Sequence, residues 1–101
     1  EGDSNKNLYK NELAANNINW ISGEEPKLPM ECLARIRYRQ PLQECRVRKA
    51  ENSNYVQHST LHIQFKEPQR AIAPGQSVVF YKNDEMLGGG IIMNEPLATR
   101  V

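Results

Sequence analysis

Cysteine is scarce, net charge is nearly absent and no long apolar run exists in this 101-residue chain. Its two cysteines, Cys32 and Cys45, are too few for a disulfide-dense scaffold and form no C-x-x-C metal knuckle, so a reducing compartment is expected. No stretch approaches the roughly 18 apolar residues that a membrane-spanning helix needs. The start, Glu1-Gly2-Asp3-Ser4-Asn5-Lys6-Asn7, offers no apolar region of a signal peptide, and a cytoplasmic location is the expectation. At 11.6 kDa, one modest core is the limit: a folded chain of this mass hides roughly 65% of the surface its unfolded form exposes. A barrel of eight βα units, or a dinucleotide domain with its substrate domain, does not fit.

Charge is present but unevenly placed. The total is +1, yet residues 1–31 hold six acids and three bases, net −3. Residues 32–50 hold one acid and six bases, net +5, and residues 51–101 return to net −1. A basic block inside a mildly acidic chain is a local footprint for a polyanion, which the total conceals.

Residues 1–16 are rich in Asn, Glu and Lys, with Leu8, Leu13 and Ala14 supporting at most a helical turn, and read as a flexible lead-in. Residues 17–22, around Trp20, suit a short strand, and residues 23–29, with one Gly and two Pro, a loop. From residue 31 onward no helical period is present and strand-like runs alternate with turn signals. The runs are residues 33–39, ended by Pro41; residues 44–50; a run in which Leu61, Ile63 and Phe65 share one face; residues 78–81; and residues 86–93. Pro74-Gly75 fits the centre of a type II turn and Asn83-Asp84 another reversal. The Gly88-Gly89-Gly90 run suggests a bulge, a barrel corner or close backbone approach. The expected fold is all-β: a small antiparallel β-barrel of about six strands with an irregular N-terminal lead-in. Its expected division is lead-in over residues 1–30, barrel over 31–96 and tail over 97–101.

Period-2 parity sets Arg35, Arg37 and Arg39 on one face of the first barrel strand, and Arg46 and Arg48 on one face of the next. Paired as a hairpin through residues 40–43, the two strands carry five guanidiniums on one side of a ribbon, suited to phosphate oxygens. The same pattern fits an ordinary solvated face balanced by nearby acids. Tyr38 and Gln40 add stacking and base-edge hydrogen bonding, which tilts the reading toward RNA.

Nothing comparable supports a reaction. His58 and His62 stand at i, i+4, a metal spacing on a helix, whereas on a strand they sit roughly 13 Å apart. Cys32 and Cys45 fall on or near the core parity and read as buried structural thiols. No catalytic or metal-binding residue is assigned.

Three blocks then carry a resemblance. They are Ala34-Arg35-Ile36-Arg37-Tyr38-Arg39-Gln40, the stretch from Phe65 to Tyr81 with its Pro74-Gly75-Gln76-Ser77, and Leu87-Gly88-Gly89-Gly90-Ile91-Ile92. In order and spacing they resemble the carboxy-terminal domain of bacterial tRNA-specific 2-thiouridylases, once labelled 2-thiouridylate methyltransferases, over about residues 17–94. The resemblance implies a parent enzyme that replaces the 2-oxygen of the wobble uridine with sulfur. It does so with ATP and Mg and a cysteine persulfide, in an amino-terminal domain that this chain lacks. No cofactor is then expected in this chain, which by itself is no enzyme, while tRNA and sulfur-donor proteins are the implied partners. The lack of a starting methionine is consistent with a piece of a longer chain. The tRNA-contacting positions implied are Arg37, Tyr38 and Gln76, to which strand parity adds Arg35 and Arg39. Both Arg37 and Tyr38 touching tRNA requires the strand end to twist or bulge near Pro41. The alternative is a structural or protein-interaction barrel that stabilises its parent without contacting RNA.

Overall fold

Where apolar and polar residues alternate, a pleated chain sends each set to its own face, and burial of the apolar face selects the register. The computed structural model describes residues 9–37, 39–50, 60–70 and 72–93. Its strands are β1 (Tyr9–Trp20), β2 (Met30–Arg35), β3 (Gln43–Lys49), β4 (Leu61–Arg70), β5 (Ser77–Lys82) and β6 (Glu85–Ile92). They pair antiparallel in the closed order β1-β4-β3-β2-β5-β6. Among the described residues there is no helix, and so none long and apolar enough to cross a membrane.

The interior follows the alternation. Leu61, Ile63 and Phe65 of β4 face inward with Val47 of β3 and Val78 and Phe80 of β5, all at most 2% exposed. Each such side chain contributes about 1.5–3 kcal/mol by leaving water. Asn83 and Asp84 both take left-handed backbone (φ 53° and 70°), the conformation of a tight turn that suits the twist of β5 and β6. Gly75 has φ 90°, and Gln76 N donates to Ala73 O at 3.3 Å, as a type II turn requires.

Two expectations about strand limits are corrected. Residues 9–16, read as part of a flexible lead-in, belong to β1, which pairs with β4 through Ala15 and from Ala15 onward with β6. Lys10, Asn11, Glu12 and Asn16 are weak strand formers, but ladders on both sides of β1 outweigh their preference. The other correction concerns β2, which stops at Arg35 and not at residue 39.

The glycine run closes the barrel. A Cβ on Gly88 would collide with the Asn19 carbonyl oxygen, and one on Gly89 would lie 2.5 Å from Val78 O, so β1 and β5 reach β6 only because these side chains are missing.

Candidate nucleic-acid interface

Antiparallel pairing gathers alternate strand ends. The C-terminal ends of β2, β4 and β6 and the N-terminal ends of β1, β3 and β5 share one end of the barrel. Arg35, Arg37 and Arg39 follow from β2, Gln76 precedes β5, and Arg70 ends β4 opposite Tyr9. Lys10, beside Tyr9, lies at the same end.

Three glutamines shape this end. Gln40 N donates to Arg37 O at 3.1 Å, turning the chain, and Gln40 Oε1 accepts from Ile36 N at 2.8 Å. Its Nε2 donates to Gln69 Oε1 at 2.5 Å, and Gln69 Nε2 reaches Glu67 O at 2.9 Å and Gln43 Oε1 at 3.4 Å. Gln69 is buried, so leaving its amide unmade would cost about 1–3 kcal/mol. Gln40, expected beside the arginines as a base-edge donor, instead has its side-chain amide engaged in holding the turn.

The turn decides where the arginines go. Past Arg35 the chain leaves strand geometry, and Arg37 Nη2 donates to Arg70 O at 2.5 Å. Arg39 is exposed on the turn. Arg35 is seated on Tyr81, with Nη2 donating to the phenol oxygen at 3.1 Å and Cζ 5.3 Å from the ring centroid. Such a seat leaves the charge in place and restricts the side chain. Gln76 Oε1 accepts from Ala73 N at 3.2 Å, fixing its side chain at the Pro74-Gly75 turn.

The expected five-arginine ribbon therefore divides. Arg46 lies farther along β3, 3.8 Å from Glu31 across the β2–β3 pair, and Arg48 stands opposite His62 of β4. The ribbon assumed β2 to run through residue 39, and the Gln40 turn removes that premise. Tyr38 lies outside the described residues, as does His58, while His62 Nε2 is 2.9 Å from Glu12 Oε1. Arg70 and Lys10 escaped the sequence reading. Arg70 stood inside a recognised block and Lys10 inside the supposed lead-in, and only strand pairing sets both near Arg37.

Cys32 and Cys45 are buried in the barrel, directly opposite on β2 and β3, with Sγ atoms 3.9 Å apart. The hydrogen bond from Cys45, aided by the charge of Lys82, pulls the Cys32 thiol below its ordinary value against the opposing effect of burial. The same bond, with burial, pushes the Cys45 thiol up.

Residues 10–92 match the family described as the aminomethyltransferase beta-barrel domain. The chain is 45% identical over 92 residues to the tRNA-specific 2-thiouridylase MnmA of Marinomonas sp. (strain MWYL1), covering 91% of this chain and 22% of that protein. It is 48% identical over 85 residues to the protein of the same name from Coxiella burnetii (strain RSA 493 / Nine Mile phase I), covering 84% and 22%. With that of Acinetobacter baylyi it shares 39% over 101 residues, covering 98% and 26%. The chain thus spans about a quarter or less of the length of these curated relatives.

Proposed function

The chain belongs to the aminomethyltransferase beta-barrel domain family, as the carboxy-terminal barrel of tRNA-specific 2-thiouridylases, and from that premise we propose that its arginine-bearing end contacts tRNA. The observation that carries this reading is the convergence of Arg35, Arg37, Arg39 and Arg70 on the end that also presents Gln76. Guanidiniums so grouped neutralise phosphates, and the contacts of Arg35 with Tyr81 and of Arg37 with Arg70 O order two of them before any ligand arrives. Tyr38 belongs to the same proposed contact set. On this reading the barrel is a cytoplasmic accessory domain of an ATP-dependent sulfurtransferase acting at the 2-position of the wobble uridine. ATP with Mg, the persulfide cysteine and the docking of sulfur-donor proteins fall to parts of the enzyme outside this chain, and Cys32 and Cys45 take no catalytic role.

The test is tRNA affinity of the full-length enzyme carrying this barrel. Arg39→Glu, on an exposed turn position, and Arg37→Glu are each expected to weaken binding about tenfold, with tRNA-independent ATP hydrolysis unchanged. Loss of one phosphate contact should also reduce the salt slope of log K by about 0.7–0.9. Equal affinities for both variants and the parent would overturn the assignment.

A second reading, a barrel that stabilises its parent without touching RNA, draws on the opposite end, where Ile21 and Met86 are 60% and 46% exposed beside Trp20 and Leu87. A tRNA footprint unchanged by deletion of the barrel would favour it.

A further inference from the structure

A disulfide needs Cα atoms about 4.4–6.8 Å apart. Directly opposed residues of an antiparallel pair stand about 4.5–5.5 Å apart, within that span. Cys32 and Cys45 are such a pair, with their sulfurs 3.9 Å apart. Their side chains meet inside the barrel, away from any second copy of the chain, so the bond that geometry favours is intramolecular. We propose that Cys32 and Cys45 form a redox modification site, at which hydrogen peroxide converts the facing thiols into a reversible cross-strand disulfide.

The oxidant must be small, because the two residues are only 8% and 6% exposed. Cys32 reacts first, since the hydrogen bond from Cys45 and the Lys82 charge favour its thiolate. Its sulfur attacks one peroxide oxygen and the O–O bond breaks. The hydroxide released takes the Cys45 proton to give water, leaving a sulfenic acid on Cys32 and a thiolate on Cys45. That thiolate attacks the Cys32 sulfur, forming the S–S bond and expelling a second hydroxide, which is protonated by the proton Cys32 had released. Two thiols are oxidised by two electrons and one peroxide is reduced to two waters. The bond ties β2 to β3 beneath the loop that carries Arg37 and Arg39.

The experiment treats the native chain with hydrogen peroxide, quenches with catalase and records intact mass and free thiols. A loss of about 2 Da, simultaneous disappearance of both thiols, recovery by dithiothreitol and absence of covalent dimer are expected. Under the same treatment Cys45→Ser should stop at a sulfenic acid on Cys32, read as a gain of about 16 Da, and the oxidised parent should unfold at a higher temperature than the reduced one. Three results on the parent chain would overturn the site, whatever the variant does: thiols that stay reduced until the chain is denatured, gain of about 16 Da per oxygen without the 2 Da loss, or an intermolecular disulfide.

Discussion

Gln40, Gln43 and Gln69 close one end of the barrel with hydrogen bonds, whereas at the other Trp20 stacks on Phe80, ring centroids 5.7 Å apart, and closes it with apolar surface. The charged side chains around the two ends differ as well. Arg35, Arg37, Arg39, Arg70 and Lys10 surround the glutamine end, and Glu24, Glu25 and Glu85 line the groove beside Trp20, where Lys49 pairs with Glu25 at 3.3 Å. Hydrogen bonds are directional and apolar contacts are not. The glutamine closure therefore fixes the course of a turn and the side chains on it, while the tryptophan closure fills volume and tolerates a range of surroundings. On the proposed reading, the glutamine end is the one that meets tRNA.

Truncating the apolar closure should have the largest effect. Trp20→Ala is expected to lower the free energy of unfolding by about 3 kcal/mol, measured by urea denaturation, with the salt slope of tRNA binding unchanged because the arginine end is elsewhere. If the slope falls with the stability, the two ends are not independent.

Breaking the polar closure should cost less stability and more recognition. Gln69→Leu removes the acceptor of Gln40 Nε2 and the donor to Gln43 Oε1 and is expected to destabilise by about 1–3 kcal/mol. In the full-length enzyme it should also weaken tRNA binding severalfold, although residue 69 itself is buried, because the turn bearing Arg37 loses its support. Unaltered affinity in a folded variant would show that the turn holds without the glutamines.

The smallest effect is expected from the acids beside Trp20. Glu85→Lys reverses a charge at the far end, where screening over more than a Debye length of about 8 Å leaves little influence on the arginine end. Its tRNA affinity should stay within twofold of the parent at physiological salt. A larger gain would mean that RNA reaches that end too.

Legibility in the sequence tracked the range of the interactions involved. The inward face of β4 was plain from Leu61, Ile63 and Phe65, and the turns at Pro74-Gly75 and Asn83-Asp84 from residues that tolerate their dihedral angles. The glycine run announced a close approach without saying to what. β1 was missed over residues 9–16 because Asn, Lys and Glu give no strand signal and its ladders come from β4 and β6, distant in sequence. The Arg37 turn was missed for the same reason: Gln40 is held partly by Gln69, which the sequence places 29 residues away.

By itself the sequence determined an all-β chain, the residues that point inward along most strands, several turns and membership of a tRNA-modifying enzyme family. These follow from local backbone preference and period-2 burial, or from blocks whose wording is specific. Only the tertiary structure decided that β2 ends at Arg35, that Arg70 and Lys10 join Arg37 and Arg39, that Arg46 is drawn to Glu31, and that Cys32 faces Cys45. Each of these depends on strand register and barrel closure, which are set by pairings between distant segments and are absent from any short window of sequence.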